Sequence, residues 1–155
     1  MTYNQKAIAI VLNINGVDNI SLVKRELVDF IKQVETDDRL YLYNETGLCS
    51  EKKSEIIAIL AAYNFNTPFQ NLIKDAIASL NFEDFSCGQL DKHIYILNDS
   101  LSFDSYHINK MLGRCKIEKC KVHILETTNY FEDSCKLTTF EELSVILSKL
   151  YKEST

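Results

Sequence analysis

The sequence predicts an α/β fold: a doubly wound, mostly parallel sheet with helices on both faces. Three observations carry that expectation. Short runs rich in Ile, Val, Leu and Tyr alternate along the chain with longer segments whose apolar residues recur at helical spacing. One of those runs, Ala7 to Leu12, is apolar without alternation, as a strand buried on both faces must be. With one Pro and four Gly in 155 residues, no flexible linker divides the chain, so residues 1–155 read as a single domain. A chain of this size accommodates about five or six strands.

The elements follow in order. After the first strand, residues 13–19 are turn-like, with Gly16 and Asp18 as punctuation. Val23, Leu27, Phe30, Ile31 and Val34 make one apolar helical stripe. Arg39 to Tyr43 alternates, as a second strand does. Ser50 is placed to cap a helix in which Ile56, Ile57, Leu60 and Tyr63 share a face. Thr67-Pro68-Phe69-Gln70 has the form of a helix start: a capping Thr, Pro at the first helical position, and Gln three residues after the cap. Phe69, Leu72, Ile73, Ala76 and Leu80 supply that helix with its buried stripe.

His93 to Leu97 predicts a strand, residues from about 103 to 112 a short helix, and Lys121 to Leu125 a further strand. Thr139-Phe140-Glu141-Glu142 resembles a capping box, and Phe140, Leu143, Ile146, Leu147 and Leu150 form the stripe of the last helix. Arg39 to Tyr43 is expected near an open sheet edge, free to pair with a second copy or be covered by the loop that follows.

Composition narrows the function. Hydrophobic residues make up 46% and charged residues 25%, the balance of an ordinary globular core, so disorder is expected only at the termini. A net charge of -5 disfavours nucleic-acid binding, which asks for a basic face. Asp18 interrupts the only early apolar run, so no signal peptide is expected, and nothing approaches the about 20 apolar residues of a membrane span. Five cysteines in irregular spacing then read as reduced thiols of a cytoplasmic protein.

Ligands of such sheets sit beyond the carboxyl ends of the strands. Asn13, Asn15 and Asp99 fall there by sequence, with Thr67 at the start of the helix between them. In order, spacing and element type, over nearly the full length, this pattern resembles a von Willebrand factor A-type domain. That family has a first loop Asp-x-Ser-x-Ser after a hydrophobic strand, a Thr from a second loop, and an Asp from a third, which together hold a divalent cation. The corresponding positions here are Asn13, Asn15 and Val17, then Thr67, then Asp99 in Asn98-Asp99-Ser100.

The departures set the chemistry that the resemblance implies. Asn13 offers a neutral carbonyl in place of a charge, Asn15 a bulkier substitute for a hydroxyl, and Val17 nothing. One carboxylate and two or three neutral oxygens make a poor Mg²⁺ site. The expectation is a degenerate metal-ion-dependent adhesion site with no resident cofactor; a weak Mg²⁺ site on Asn13, Asn15, Thr67 and Asp99 is the alternative. Each of these residues also has an ordinary role, the Asn residues and Asp99 in turns and Thr67 as a cap.

Other chemistry is weaker still. Cys115, Cys120 and His123 lack a zinc-motif spacing, and Cys120 and His123 fall on opposite faces of a strand. Cys87 has no His placed beside it by the sequence, and His93 and His123 read as side chains covering sheet edges. No phosphate-cradling loop or nucleophile elbow occurs.

The chain is therefore expected to be a non-catalytic protein–protein interaction module with another protein as partner. Its binding edge would comprise Asn13, Asn15, Phe65, Thr67, Asp99 and Phe103, with Phe65 and Phe103 as apolar anchors. Tyr130 and Phe131, outside clean periodicity, are further interface candidates. A small single domain with no catalytic motif suits a regulatory adaptor, and small size with rich Asn, Lys, Ile and Tyr usage suits a viral accessory factor acting on host proteins. An unrecognised small α/β enzyme is the third reading.

Overall fold

The apolar run 7–12 becomes the centre of the sheet because both of its faces need cover. In a computed structural model, which describes residues 5–13, 20–44, 47–50, 52–62, 91–98, 112–113, 115–116, 119–127 and 135–153, it forms β1 (Lys6–Asn13). The chain continues through α1 (Ile20–Gln33), β2 (Arg39–Asn44), β3 (Gly47–Ser50), α2 (Lys53–Ala62), β4 (Asp91–Asn98), β5 (Lys121–Glu126) and β6 (Cys135–Lys136). It ends with a 3-10 turn (Phe140–Glu142) running directly into α3 (Leu143–Glu153).

The strand order is β3-β2-β1-β4-β5-β6. All pairings are parallel except β2 with β3. The mostly parallel α/β sheet expected from the sequence is therefore present.

Strand alternation divides the core in two. Ile8, Ile10 and Leu12 of β1, Leu40 and Leu42 of β2, Tyr95 and Leu97 of β4 and Leu125 of β5 share one face with the buried stripes of α1, α2 and α3. Ala7, Ala9 and Val11 line the opposite face with Tyr41, Tyr43, Ile94, Ile96, Ile124, Cys115 and Cys120. Small Ala7 and Ala9 on β1 lie beside the bulky Tyr41 and Tyr43 of β2, so large and small side chains interlock on this face. Lys119 takes a left-handed φ of 60°, closing the turn in which Cys120 N–H donates to Cys115 O at 2.8 Å and launching β5.

Long polar side chains tie the helical layer together. Lys53 of α2 donates from Nζ to Val34 O at 2.7 Å and Lys32 O at 3.3 Å, satisfying carbonyls at the end of α1. Lys24 of α1 does the same for α2, reaching Ala61 O at 3.3 Å. Buried Glu26 accepts from Ser144 N and Oγ, which sets a carboxylate against the first turn of α3.

Two local expectations need correction and one open choice is decided. Ser50 lies in β3, its backbone paired with Leu42, and α2 starts only at Lys53. The strand Arg39–Tyr43 is covered by the segment that follows it, the second of the two outcomes expected, because β3 pairs along it with a bulge between Leu42 and Tyr43. His93 lies on interior strand β4 and is 1% exposed, so it covers no edge.

The capping box is present in altered form. Thr139 Oγ1 accepts from Glu141 N, and Glu142 Oε1 accepts from Thr138 N in place of Thr139 N. The helix expected after Thr67 and nearly all of the one expected over 103–112 lie outside the described residues.

Candidate functional site

Parallel strands bring their carboxyl ends to one edge of the sheet, and register decides which residues meet there. Asn13 of β1 pairs with Asn98 of β4, Asn98 with Glu126 of β5, and Glu126 with Lys136 of β6. Four polar residues thus end four adjacent strands in one line. Asn98 and Glu126 are both 0% exposed. The Asn98 amide donates from Nδ2 to Glu126 Oε2 at 2.8 Å, and Lys136 Nζ lies 3.0 Å from Glu126 Oε1. A buried carboxylate is costly unless paired and hydrogen-bonded, and here each oxygen has its own donor. Leu137 N–H also donates to Glu126 O at 2.8 Å, fixing the backbone where the chain enters its last turn.

This row holds the strand ends from which two of the segments singled out by sequence depart. The first loop leaves from Asn13, which the structure places as the last residue of β1, and the third leaves from Asn98, directly before Asp99. Asn15, Phe65, Thr67, Asp99 and Phe103 lie outside the described residues, as do Tyr130 and Phe131. Glu126 and Lys136 were not singled out by sequence. The available signal was a charged residue ending an apolar strand, Ile124-Leu125-Glu126, where a buried charge is unexpected.

The donor set does not fit a tightly held divalent ion. Of the four candidate ligands only Asp99 is a carboxylate. The buried carboxylate described at this edge, Glu126, already carries Asn98 and the Lys136 ammonium. Among the described residues, no three of His, Cys, Asp and Glu come together as a metal-binding group. For Cys115, Cys120 and His123 the reason is visible: the two cysteines pack into the face lined by Tyr41 and Tyr43, while His123 stacks on Tyr95 across the sheet.

No family model matches the sequence, and no curated protein matches it. Solved structures do match. Proximal thread matrix protein 1 from the mussel byssus superposes over 97% of this chain with a TM-score of 0.64 and 16% identity. A structure of that protein with a zinc-occupied metal-ion-dependent adhesion motif gives 0.66 and 17%. This chain spans 46% of the length of that protein. Manganese-loaded TRAP protein of Plasmodium vivax matches over 91% of this chain and 62% of its own, with a TM-score of 0.59 and 12% identity. The SpRpn10 VWA domain matches over 92% of this chain and 82% of its own, at 0.52 and 11%. The chain has a von Willebrand factor A-like fold. Domains of this fold commonly mediate protein–protein interaction.

Proposed function

We propose that this protein is a non-catalytic interaction module, a cytoplasmic regulator or adaptor, which binds another protein through the loops above the carboxyl edge of the sheet. The observation that carries the reading is the polar row at that edge. Asn98 and Lys136 each hold one oxygen of the buried Glu126 carboxylate, which ties β4, β5 and β6 together where the loops leave the sheet. The fold supports it, and so does the net charge of -5, which suits a protein partner better than nucleic acid. No helix among the described residues is long and apolar enough to cross a membrane. Cys115, Cys120 and Cys135 are unbridged, which suits a reducing compartment.

The test is affinity capture from cell extract with wild type beside Phe65→Ala and Phe103→Ala. A partner retained by wild type and lost by either variant, with unfolding midpoints unchanged, supports this edge. A partner retained equally by both removes it.

The zinc- and manganese-bound relatives favour one second reading, a weak divalent site on Asn13, Asn15, Thr67 and Asp99. Calorimetric titration with Mg²⁺, Mn²⁺ and Ca²⁺ decides it. Saturable binding abolished by Asp99→Ala establishes the site; none at millimolar ion leaves the metal-free reading.

A further inference from the structure

At the opposite end of the sheet, near the amino ends of the strands, three rings stack on the helix-covered face. His93 and Tyr95 follow each other on β4, and His123 sits across from Tyr95 on β5. The centroids of His93 and Tyr95 are 6.2 Å apart, of His93 and His123 5.8 Å, and of Tyr95 and His123 5.1 Å, all within 19° of parallel. His93 and Tyr95 are buried, at 1% and 0% exposure.

The ring atoms lack the partners that buried polar groups normally have. Tyr95 Oη, His93 Nδ1 and His123 Nε2 are buried without a hydrogen bond. His93 Nε2 lies 2.9 Å from Asp91 Oδ2, but the contact is not an aligned hydrogen bond. Such an array is stable while both imidazoles are neutral, and it holds two proton acceptors a stacking distance apart.

The stack connects to the last helix. Phe30 of α1 meets Tyr95 edge-on at 6.1 Å and Tyr151 of α3 at 6.0 Å. The Tyr151 hydroxyl donates to Asp38 Oδ2 and accepts from Glu35 N, and the buried Lys6 ammonium lies 4.3 Å over its ring. We propose that the His93–Tyr95–His123 stack is a proton-binding site whose occupation loosens α3 from the amino end of the sheet.

The charged surroundings give the direction. Facing the stack are Lys6 from β1, Asp91 from β4, Lys121 from β5, Tyr151 from α3 and, through Tyr151, Asp38 from the turn before β2. Asp91 is shared, since Lys121 Nζ lies 3.5 Å from its Oδ1. A proton on His93 meets Asp91, which Lys121 shares, while a proton on His123 adds a cation beside His93 and Lys121. Burial lowers the pKa of His93, opposed by Asp91 and reinforced by Lys121 and Lys6. Burial, then His93 and Lys121, bring His123 down to about 4.

The sign follows from linkage. The unfolded chain binds these protons below the ordinary value of 6.5, and the folded chain resists. The stabilisation from neutral histidines is whole at pH 7 and is lost as pH falls through 6.5 toward the folded values. For His123 this reduces the folding constant up to about twentyfold between pH 7 and pH 5. The proposal does not depend on the loop-edge reading, since it concerns the other end of the sheet.

Three measurements test it. Imidazole NMR titration of the wild type should show His123 charging well below pH 6.5, and a midpoint near 6.5 overturns the site. Hydrogen exchange at pH 7 and pH 5, corrected for intrinsic rates, should show residues 143–153 losing protection before β1 and β4; simultaneous loss overturns the link to α3. Chemical unfolding at both pH values should give a smaller pH dependence in His123→Gln and in His93→Gln/His123→Gln than in wild type, and a wild-type slope in either variant overturns the proposal. His123 is partly exposed, so its single variant serves if the double variant fails to fold.

Discussion

The two ends of this sheet treat buried polar groups in opposite ways. At the carboxyl end, Asn98 and Lys136 supply a donor to each oxygen of the buried Glu126 carboxylate. At the amino end, His93, Tyr95 and His123 bury three ring atoms, His93 Nδ1, Tyr95 Oη and His123 Nε2, without a hydrogen bond, in rings that stack on one another and against Phe30. A satisfied network fixes geometry, whereas an unsatisfied titratable one makes geometry depend on conditions. The first suits a platform for recognition loops, and the second a place where pH changes the helical layer.

The contrast is broken most severely at its hinge. Phe30→Ala removes the ring that joins Tyr95 to Tyr151 and opens a cavity at a position 0% exposed; about 3–5 kcal/mol of stability should be lost in chemical denaturation. At the carboxyl end, Glu126→Ala removes the carboxylate that accepts from the buried Asn98 amide and should cost about 1–3 kcal/mol in chemical denaturation. Glu126→Gln, which retains an acceptor, should cost less; an equal loss in both would mean that volume and not hydrogen bonding supports the row. Tyr151→Phe keeps the ring contacts and removes the hydroxyl between Asp38 and Glu35 N, for about 1–2 kcal/mol by thermal or chemical unfolding. The smallest effect is expected at Thr139→Ala, about 1 kcal/mol, since only the Glu141 N–H loses its cap and Glu142 still accepts from Thr138.

Legibility varied with the range of the interaction. The stripe Val23, Leu27, Phe30 and Ile31 of α1 is buried, as is Val34 just past its end, since 3.6-residue periodicity is a local property that any packing partner reads the same way. The last helix was readable for the same reason, although Tyr151, which reaches Asp38, lies one position beyond the expected stripe. Strand β3 was missed because four residues with Gly47 and Ser50 carry too little pattern, and Ser50 suited a cap equally well. The loop candidates Asn15, Phe65, Thr67, Asp99 and Phe103 were placed by analogy of element order; the structure describes their anchoring strand ends, Asn13 and Asn98, and puts these side by side.

By itself, then, the sequence determined the longer strands and helices among the described residues, the α/β class, and which strand is buried on both faces, because these follow from backbone periodicity and from the pattern of apolar residues over a few positions. Only the tertiary structure decided that Asn98 and Glu126, 28 residues apart, would share a hydrogen bond, that Tyr151 would reach Asp38 across 113 residues, and that His93 would stack on His123. Those meetings depend on strand order and register, which arise from how whole faces pack against one another and leave no mark in any local stretch of chain.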